Sequence, residues 1–407
     1  MKVAHINFSD TNGGAAIATG RIHNSLLKEK IDSYLFVNEK KSDFENVFGP
    51  NSTFKLIEIE LRKSLSRLMK KKFINDIDGT FSLNIIRSGI LKKINDLNPD
   101  ITHLHWIGNE MISIPQIKKI KSPVVWTLHD MWPYTATEHY TYEKKYITGY
   151  EDANSKKKFD INKWIWRRKK KFFNFPINFI ATSRWQEKNL KNSHLFNNHN
   201  IELIPLPLDS ENWFPINKKT AREILKLDKN KKTILIGSEG SHHFHRKGMD
   251  IIQDIFKKKM VNTEKIQVLI LGRKNPKLEN LEQIKYFGHL NDKFTSLRLI
   301  YSASDLLLMP SRLESFGQMA LEAGACGTPT IAFENTGTED LIQHKSSGYL
   351  AKYLDIENFA EGIKWCLNDE NNEKLSKNSE KFTKNNFNAK EIAKKHISLY
   401  EKILKKP

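Results

Sequence analysis

Only two cysteines occur in the 407-residue chain, Cys326 and Cys366. That excludes a disulfide framework and leaves too few thiolates for a Cys-based metal centre. Both lie in apolar helical patterns, where a cysteine packs rather than reacts. No run of about 18 apolar residues exists that would cross a bilayer. The first strand-like stretch, Val3 to Phe8, follows directly on Met1-Lys2 and is interrupted by His5 and Asn7, too short and too polar for a signal-peptide core. The expected location is therefore the cytoplasm. Repeats of solenoid period and low-complexity tracts are lacking as well.

What is present is length and positive charge. The chain is too long for one ordinary core and suits two domains of roughly 200 residues each. A 39% hydrophobic and 28% charged composition fits a globular protein. The formal charge of +19 predicts attraction to something anionic: nucleic acid, a membrane surface or a phosphorylated substrate. A chain rich in Lys and Asn throughout acquires the same charge without any such partner.

The first half opens as strand (Val3 to Asn7), glycine loop (Thr11-Asn12-Gly13-Gly14), helix (Ala15 to Lys28) and strand (Ser33 to Val37), the start of a parallel sheet. Further strands are expected at Ile101 to Trp106, Val124 to Leu128 and Ile177 to Thr182. Between them lie two basic insertions with helix-compatible apolar spacing, 54–73 and 141–175. Prolines 205, 207 and 215 break every periodic pattern and place a linker there. The second half reads as another doubly wound unit: strands Thr233 to Gly237, Ile266 to Leu271, Ile284 to Phe287, Leu306 to Met309 and Thr330 to Phe333, with helices from Lys247, Asp292, Phe316 and Glu339. The expected domains are 1–207 and 208–387, with a charged helix, 388–405, packing back on the first.

The stretch from Pro310 to Thr330 carries the most specific chemistry. A strand ends at Met309, Gly317 sits at a helix start and Glu322 lies within that helix. Unpaired backbone N–H groups at a helix N-terminus suit a diphosphate. Glu314 and Glu322 stand eight positions apart, a rise of about 12 Å if wholly helical. That separation spans from a sugar to a ribose with a diphosphate between them. Taken alone, the two glutamates also fit a helix cap and an exposed helical charge.

The frame around them, Pro-Ser, Glu-x-Phe-Gly, Glu-Ala and Cys-Gly-x-Pro, resembles the signature of retaining glycosyltransferase family 4. Phe287-Gly288-His289-Leu290, Tyr301-Ser302-Ala303-Ser304-Asp305 and Arg246-Lys247-Gly248 resemble that family's preceding segments. Thr127-Leu128-His129-Asp130-Met131-Trp132-Pro133-Tyr134 looks like a pattern of bacterial exopolysaccharide and lipopolysaccharide enzymes. Three departures stand out. Gly237-Ser238-Glu239-Gly240 replaces a Gly-Arg pair, so a second phosphate cation falls to Arg246 or Arg273. Thr135 to Glu138 replaces a small-residue and cysteine stretch. Thr336-Gly337-Thr338-Glu339-Asp340 lacks one glycine and the proline of the usual loop.

The resemblance implies an α/β, GT-B fold: two facing Rossmann-like doubly wound domains with an interdomain cleft. It implies transfer of a sugar from a nucleotide-sugar donor to a glycan or lipid-linked acceptor with retention, in cell-surface polysaccharide or lipopolysaccharide synthesis, with no metal and no other cofactor. By resemblance, the catalytic set is Glu314, His129 and Lys247. Donor binding falls to Arg246, Lys247, Glu314, Phe316, Gly317, Gln318 and Glu322, and Gly13 and Gly14 form a phosphate or acceptor loop. His242, His243 and His245 invite a metal reading, but no carboxylate or cysteine completes a site.

In the insertion 141–175, Trp164, Trp166, Phe172 and Phe173 interleave with Lys163, Arg167, Arg168, Lys169, Lys170 and Lys171. Together with 54–73 this suggests contact with an anionic membrane surface, peripheral at the inner face of the cell membrane. A solvated helix whose aromatics pack on its own domain has the same pattern. No nucleic-acid motif accompanies the basic residues, and none is expected as partner. The rival readings are a nucleotide-sugar epimerase on the same architecture and a non-catalytic basic lipid- or nucleic-acid-binding protein.

Overall fold

The computed structural model describes residues 1–405 except 75–78, 152–158, 239–243, 273–283, 289 and 291–293. The chain divides into two compact units, one of Met1–Pro207 with Ala389–Pro407 and the other of Leu208–Asn388.

The first unit is built on strands β1 (Lys2–Ile6), β2 (Asp32–Phe36), β3 (Val47–Phe48), β4 (Ile101–Leu104), β5 (Val124–Leu128), β6 (Ile177–Ala181) and β7 (Ile201–Leu203). They pair in the order β3-β2-β1-β4-β5-β6-β7, every pair parallel. Strands β4 and β5 are buried at every position, as a parallel sheet covered by helices on both faces requires. The second unit repeats the plan with β8 (Lys232–Ser238), β9 (Ile266–Gly272), β10 (Ile284–Gly288), β11 (Leu306–Met309), β12 (Thr330–Phe333) and β13 (Gly348–Ala351). Its order is β10-β9-β8-β11-β12-β13, again all parallel. In each sheet the winding direction reverses beside the first strand, between β1 and β4 and between β8 and β11. Open α/β sheets gather their ligands outside strand C-termini at such a reversal.

Several expectations are corrected. The helix expected from Phe316 spans Gln318–Ala325, because Gly317 turns left-handed (φ 101°) just before it. The helix expected from Glu339 is a short 3-10 turn, Gly337–Leu341. Strands β3, β7 and β13 escape a periodicity search because runs of two to four residues hold barely one alternation.

The two basic insertions form helices, α2 (Thr53–Phe73) and a helix over Ile161–Phe172. The second does not present its aromatics outward. Trp166 and Phe173 are buried in the first unit's core and Trp164 and Phe172 pack partly buried against it. Lys169 is fully buried, with its ammonium on the carbonyls of Trp132 and Thr135 and 3.6 Å from the Trp132 ring centroid. Burial drives its pKa well down, against the opposing pull of Glu138 and Asp130. Helix α2 is the reverse case: Ile59, Arg62 and Ser66 face the protein while Phe54, Ile57, Leu61, Leu65 and Leu68 are exposed.

Inside the first unit lies a cluster of buried imidazoles. His5 on β1 and His103 on β4 are register partners, and His105 follows two residues on. His396 and Tyr400, from the Ala389–Leu404 helix that packs on α1 (Gly14–Lys28), complete it. His103 bonds Tyr400 and Thr127 through its two nitrogens, each at 2.7 Å. Burial lowers the pKa of His5, His103 and His105 well below 6.5, that of His129 to about 4 and that of His396 to about 3.

These shifts set the acid stability of the unit. Below pH 6.5 the unfolded chain takes up protons that the folded chain refuses, so stability is complete above about pH 6.5 and falls as the pH drops. At pH 5 His129 and His396 each remove about 2 kcal/mol, and His5, His103 and His105 act in the same direction, against the roughly 5–15 kcal/mol of a whole domain. Circular dichroism against pH is expected to show the first unit unfolding between pH 6.5 and 5 in a steep, multi-proton transition. Native spectra retained at pH 4 would contradict neutral burial of these rings.

Candidate functional site

The second unit's crevice is built where β8 and β11 end. After β8, the chain reaches Arg246, Lys247 and Gly248, which opens the Met249–Lys257 helix in a left-handed conformation (φ 69°). A β-carbon at Gly248 would stand 1.9 Å from the Pro310 carbonyl oxygen. The basic turn is thereby pressed onto the loop that leaves β11. Arg312 fastens it further, donating from both guanidinium Nη atoms to Asp250 (2.7 and 2.6 Å) and from its backbone N–H to the Arg246 carbonyl.

This brings Lys247 Nζ to 2.6 Å from Glu314 Oε2, across 67 residues of sequence. Arg246 donates to the Leu313 carbonyl at 3.0 Å. Glu314 is 8% exposed. Burial pushes its carboxyl up, but Lys247 and Arg246, with hydrogen bonds from Lys247 and the Ser315 backbone, more than offset this and hold it below the usual carboxylate range. It is therefore ionised at neutral pH. Gly337, whose N–H donates to the Glu314 carbonyl at 2.8 Å, lies so close to the 314–315 backbone that a β-carbon would meet the Ser315 oxygen at 2.1 Å.

Of the other expected donor residues, Phe316 is buried against Phe387 and precedes the helix rather than lying in it. Gly317 caps that helix and Gln318 is its first, half-buried residue. Glu322 is not an exposed helical charge: it is buried and accepts the Tyr301 hydroxyl at 2.9 Å. The sequence reading missed Thr338, whose buried hydroxyl has no partner among the described residues and stands beside Gly317. Its signal was present in the altered loop 336–340, where a hydroxyl stands among the departures. Glu239, Gly240, His242, His243, Arg273 and His289 lie outside the described residues. The thiols are pushed up by burial, Cys366 to about 12 and Cys326 further, so neither is a nucleophile at neutral pH.

In the first unit, β1 leads to Gly13 (φ 86°) and Gly14 at the start of α1, and His129 and Asp130 follow directly on the end of β5. A small cavity there is lined by Trp106, Gly108, Trp126, His129, Asp130 and His139. Asp130 accepts from His139 Nδ1 at 2.5 Å, and His139 Nε2 accepts the Ser82 hydroxyl at 2.7 Å. Burial raises the Asp130 carboxyl, while His139 and the Trp132 backbone N–H lower it further than that. His129 Nε2 lies 3.1 Å from His105 Nδ1. Among the described residues, His5, His103 and His105 approach closely enough to share a metal ion. Both nitrogens of His103 and of His105 are, however, already engaged in hydrogen bonds.

Two family models match the chain, "Glycosyltransferase Family 4" over residues 12–212 and "Glycosyl transferases group 1" over 217–387. Among curated relatives, the N-acetyl-alpha-D-glucosaminyl L-malate synthase of Bacillus anthracis is 28% identical over 163 residues, 38% of this chain and 42% of the relative. The curated relatives it matches first are spanned over about half of their length or less. Among solved structures, sucrose-phosphate synthase from Thermosynechococcus elongatus superposes with a TM-score of 0.70 at 17% identity, over 99% of both chains. Anabaena Alr3699/HepE, crystallised with UDP and glucose, gives 0.66 at 15%, over 99% of this chain and all of that one. The fold is GT-B, with two Rossmann-like domains.

The glycines of the two crevices differ in a measurable way. Gly13 has a positive φ with no atom within 4 Å of an added β-carbon, whereas Gly248 has both a positive φ and the Pro310 backbone in the way. Gly13→Ala is expected to cost about 1–3 kcal/mol, the penalty of a backbone conformation (φ 86°, ψ 165°) that only glycine adopts readily. Gly248→Ala is expected to cost more than about 3 kcal/mol in the second unit's urea transition, because backbone must move. Equal losses would show that the basic turn is not clamped.

Proposed function

Because the chain belongs to glycosyltransferase family 4, we propose that it moves a sugar from a nucleotide-sugar donor to a glycan or lipid-linked acceptor with retention of configuration, in cell-surface polysaccharide or lipopolysaccharide assembly. The observation that carries this is an ionised, buried Glu314 held by Lys247 at the mouth of the β8–β11 crevice. An anion buried there without a cation would be costly, and a diphosphate arriving there needs one. Lys247 serves both. On binding, its ammonium turns to the diphosphate, with Arg246 beside it, and Glu314 takes up hydroxyls of the donor sugar. The loop from Phe316 to Gln318 offers backbone N–H groups to the phosphates, and Glu322 accepts from the ribose.

His129 contacts the transferred sugar, and Gly13 and Gly14 let backbone approach the acceptor or phosphate. As the bond from the anomeric carbon to the diphosphate oxygen breaks, the diphosphate gathers charge that Lys247 and Arg246 stabilise. Its oxygen accepts the acceptor hydroxyl's proton on the face it leaves, so the new bond forms on the same side. No metal or protein nucleophile enters this scheme. A UDP-sugar is the first donor to try, supported by the UDP and glucose held by the Anabaena structure.

We assign membrane contact to α2 alone. Phe54, Ile57, Leu61, Leu65 and Leu68 form one exposed apolar stripe, opposite the buried face, and Arg67, Lys71 and Lys72 are exposed beside it. Apolar side chains immersed at the headgroup boundary with lysines at an anionic surface are the mark of an in-plane helix. The helix over 161–172 lacks this, since its aromatics face inward. No helix among the described residues is long and apolar enough to cross a membrane.

A thermal-shift panel of UDP-, GDP- and ADP-sugars is expected to yield a donor that stabilises the protein by about 2.7 kcal/mol at a hundred times its Kd. Glu314→Gln with Lys247→Met strands neither charge, so it should fold with a melting point near that of the parent and lose at least about a thousandfold in turnover. Full turnover in that variant would end this reading. Leu61→Glu with Leu65→Glu is expected to abolish sedimentation with phosphatidylglycerol vesicles, through a loss of about 2 kcal/mol or more of apolar insertion. Undiminished vesicle binding would remove α2 from the membrane.

A further inference from the structure

The buried rings of His5 and His105 and the half-buried ring of His129 form a head-to-tail series. His129 Nε2 faces His105 Nδ1 at 3.1 Å, and His105 Nε2 faces His5 Nδ1 at 2.9 Å. His5 Nε2, at the inner end, is buried with no partner among the described residues. His129, at the outer end, lines the cavity.

A neutral imidazole carries one N–H, and each of the two contacts needs one donor and one acceptor. Only two arrangements satisfy both. If His105 carries its proton on Nδ1, it donates to His129 Nε2 and accepts from His5 Nδ1. His129 then bears its own proton on Nδ1, and His5 Nε2 is a bare lone pair. If His105 carries the proton on Nε2, every ring shifts the same way. His129 Nδ1 is then bare, and His5 is left with an N–H pointing at nothing. A buried donor without an acceptor is rarer and costlier than an acceptor without a donor. The inner end therefore selects the first arrangement. Burial keeps all three rings neutral across the physiological range, so protonation does not scramble the choice.

We propose that His105 and His5 are positioning residues that lock His129 in its Nδ1–H tautomer, so that His129 meets the donor sugar as a hydrogen-bond donor and never as a base. This rests on the reading of His129 as a sugar contact and deepens it. The sugar atom opposite His129 must then accept: a hydroxyl oxygen, not a hydroxyl proton offered for removal. The discrimination originates about two side chains deeper, at His5, which touches no ligand.

The tautomer is read directly from long-range 15N–1H correlation spectra of the full-length protein labelled at histidine, with no sugar present. His129 is expected to show a protonated Nδ1 and a bare Nε2 from pH 8 to pH 7. An Nε2–H form, or a rapidly exchanging mixture, overturns the lock. So does a shift of the His5, His103 and His105 signals to those of metal ligands on adding stoichiometric Zn2+, since a bound ion would replace the hydrogen bonds. His105→Asn keeps an amide N–H where Nδ1 stands and should preserve the His129 signature and turnover within about threefold. His105→Leu should lose the signature and lower kcat at least tenfold with the donor KM moving less than threefold. Equal activity in these two variants, both melting as the parent does, overturns the positioning role. Absence of sugar transfer by the unmodified protein would be the failure of the functional reading instead, and the sugar-free spectrum separates the two.

Discussion

The ion pair between Lys247 and Glu314 sets the terms for the rest of the second unit. A carboxylate taken out of water is destabilised by several kcal/mol unless a cation and further hydrogen bonds meet it. Here the cation is delivered by a turn 67 residues away. The approach is possible only because Gly248 lets that turn lie against the Pro310 backbone and Gly337 lets the following loop lie against residues 314 and 315. Arg312 then ties the same turn to Asp250. Four loop segments are packed to a tolerance of less than one methyl group, and their common product is a paired, ionised carboxylate.

The first unit meets its crevice with the opposite device. Burial keeps the rings of His5, His105 and His129 neutral, and the Asp130 carboxylate beside them is held by His139. A row of uncharged imidazoles transmits direction rather than charge: fixing the proton on one ring fixes it on the next. Such a row is also specific about pH, because it is stable only while every member stays neutral. The charged crevice suits a diphosphate, and the neutral one suits hydroxyl groups, whose recognition depends on which partner donates.

Local requirements were the legible part of this chain. Gly317 marked a helix start to within two residues, Pro205, Pro207 and Pro215 marked an interruption of periodic structure, and the alternation of apolar runs with helical patterns marked two parallel sheets. The motif frame around Glu314 could be recognised because its glycines and prolines are demands of backbone geometry, repeated wherever that geometry recurs. Other features depended on contacts that a single chain does not display. Periodicity identifies a helix and its faces, yet it does not say which face meets the core. The helix over 161–172 therefore admitted both a membrane-facing reading and one with its aromatics packed on its own domain, and Trp166 and Lys169 lie inside. For the same reason Glu322 had no visible partner until Tyr301 was placed beside it. The imidazole series was invisible as a unit, since His5, His105 and His129 come from three strand ends.

The net charge of +19 also changes meaning once burial is known. A lysine counts most toward long-range attraction when its charge reaches solvent, and Lys169 is buried with its pKa driven well down by desolvation. Lys247 is engaged by Glu314, and Arg62 donates to the Glu110 carbonyl beneath α2. What remains outward on α2 is Arg67, Lys71 and Lys72, with Glu58 and Glu60, next to six exposed apolar side chains. Water disfavours that combination on the surface of a monomer, where large apolar patches are uncommon. The helix keeps it because its opposite face is anchored by polar contacts: Arg62 to a buried carbonyl and Lys70 to the Phe81 carbonyl at 3.0 Å. Those polar contacts, with the inward Ile59, Met69 and Phe73, fix α2 to the protein and leave its apolar stripe on the outside.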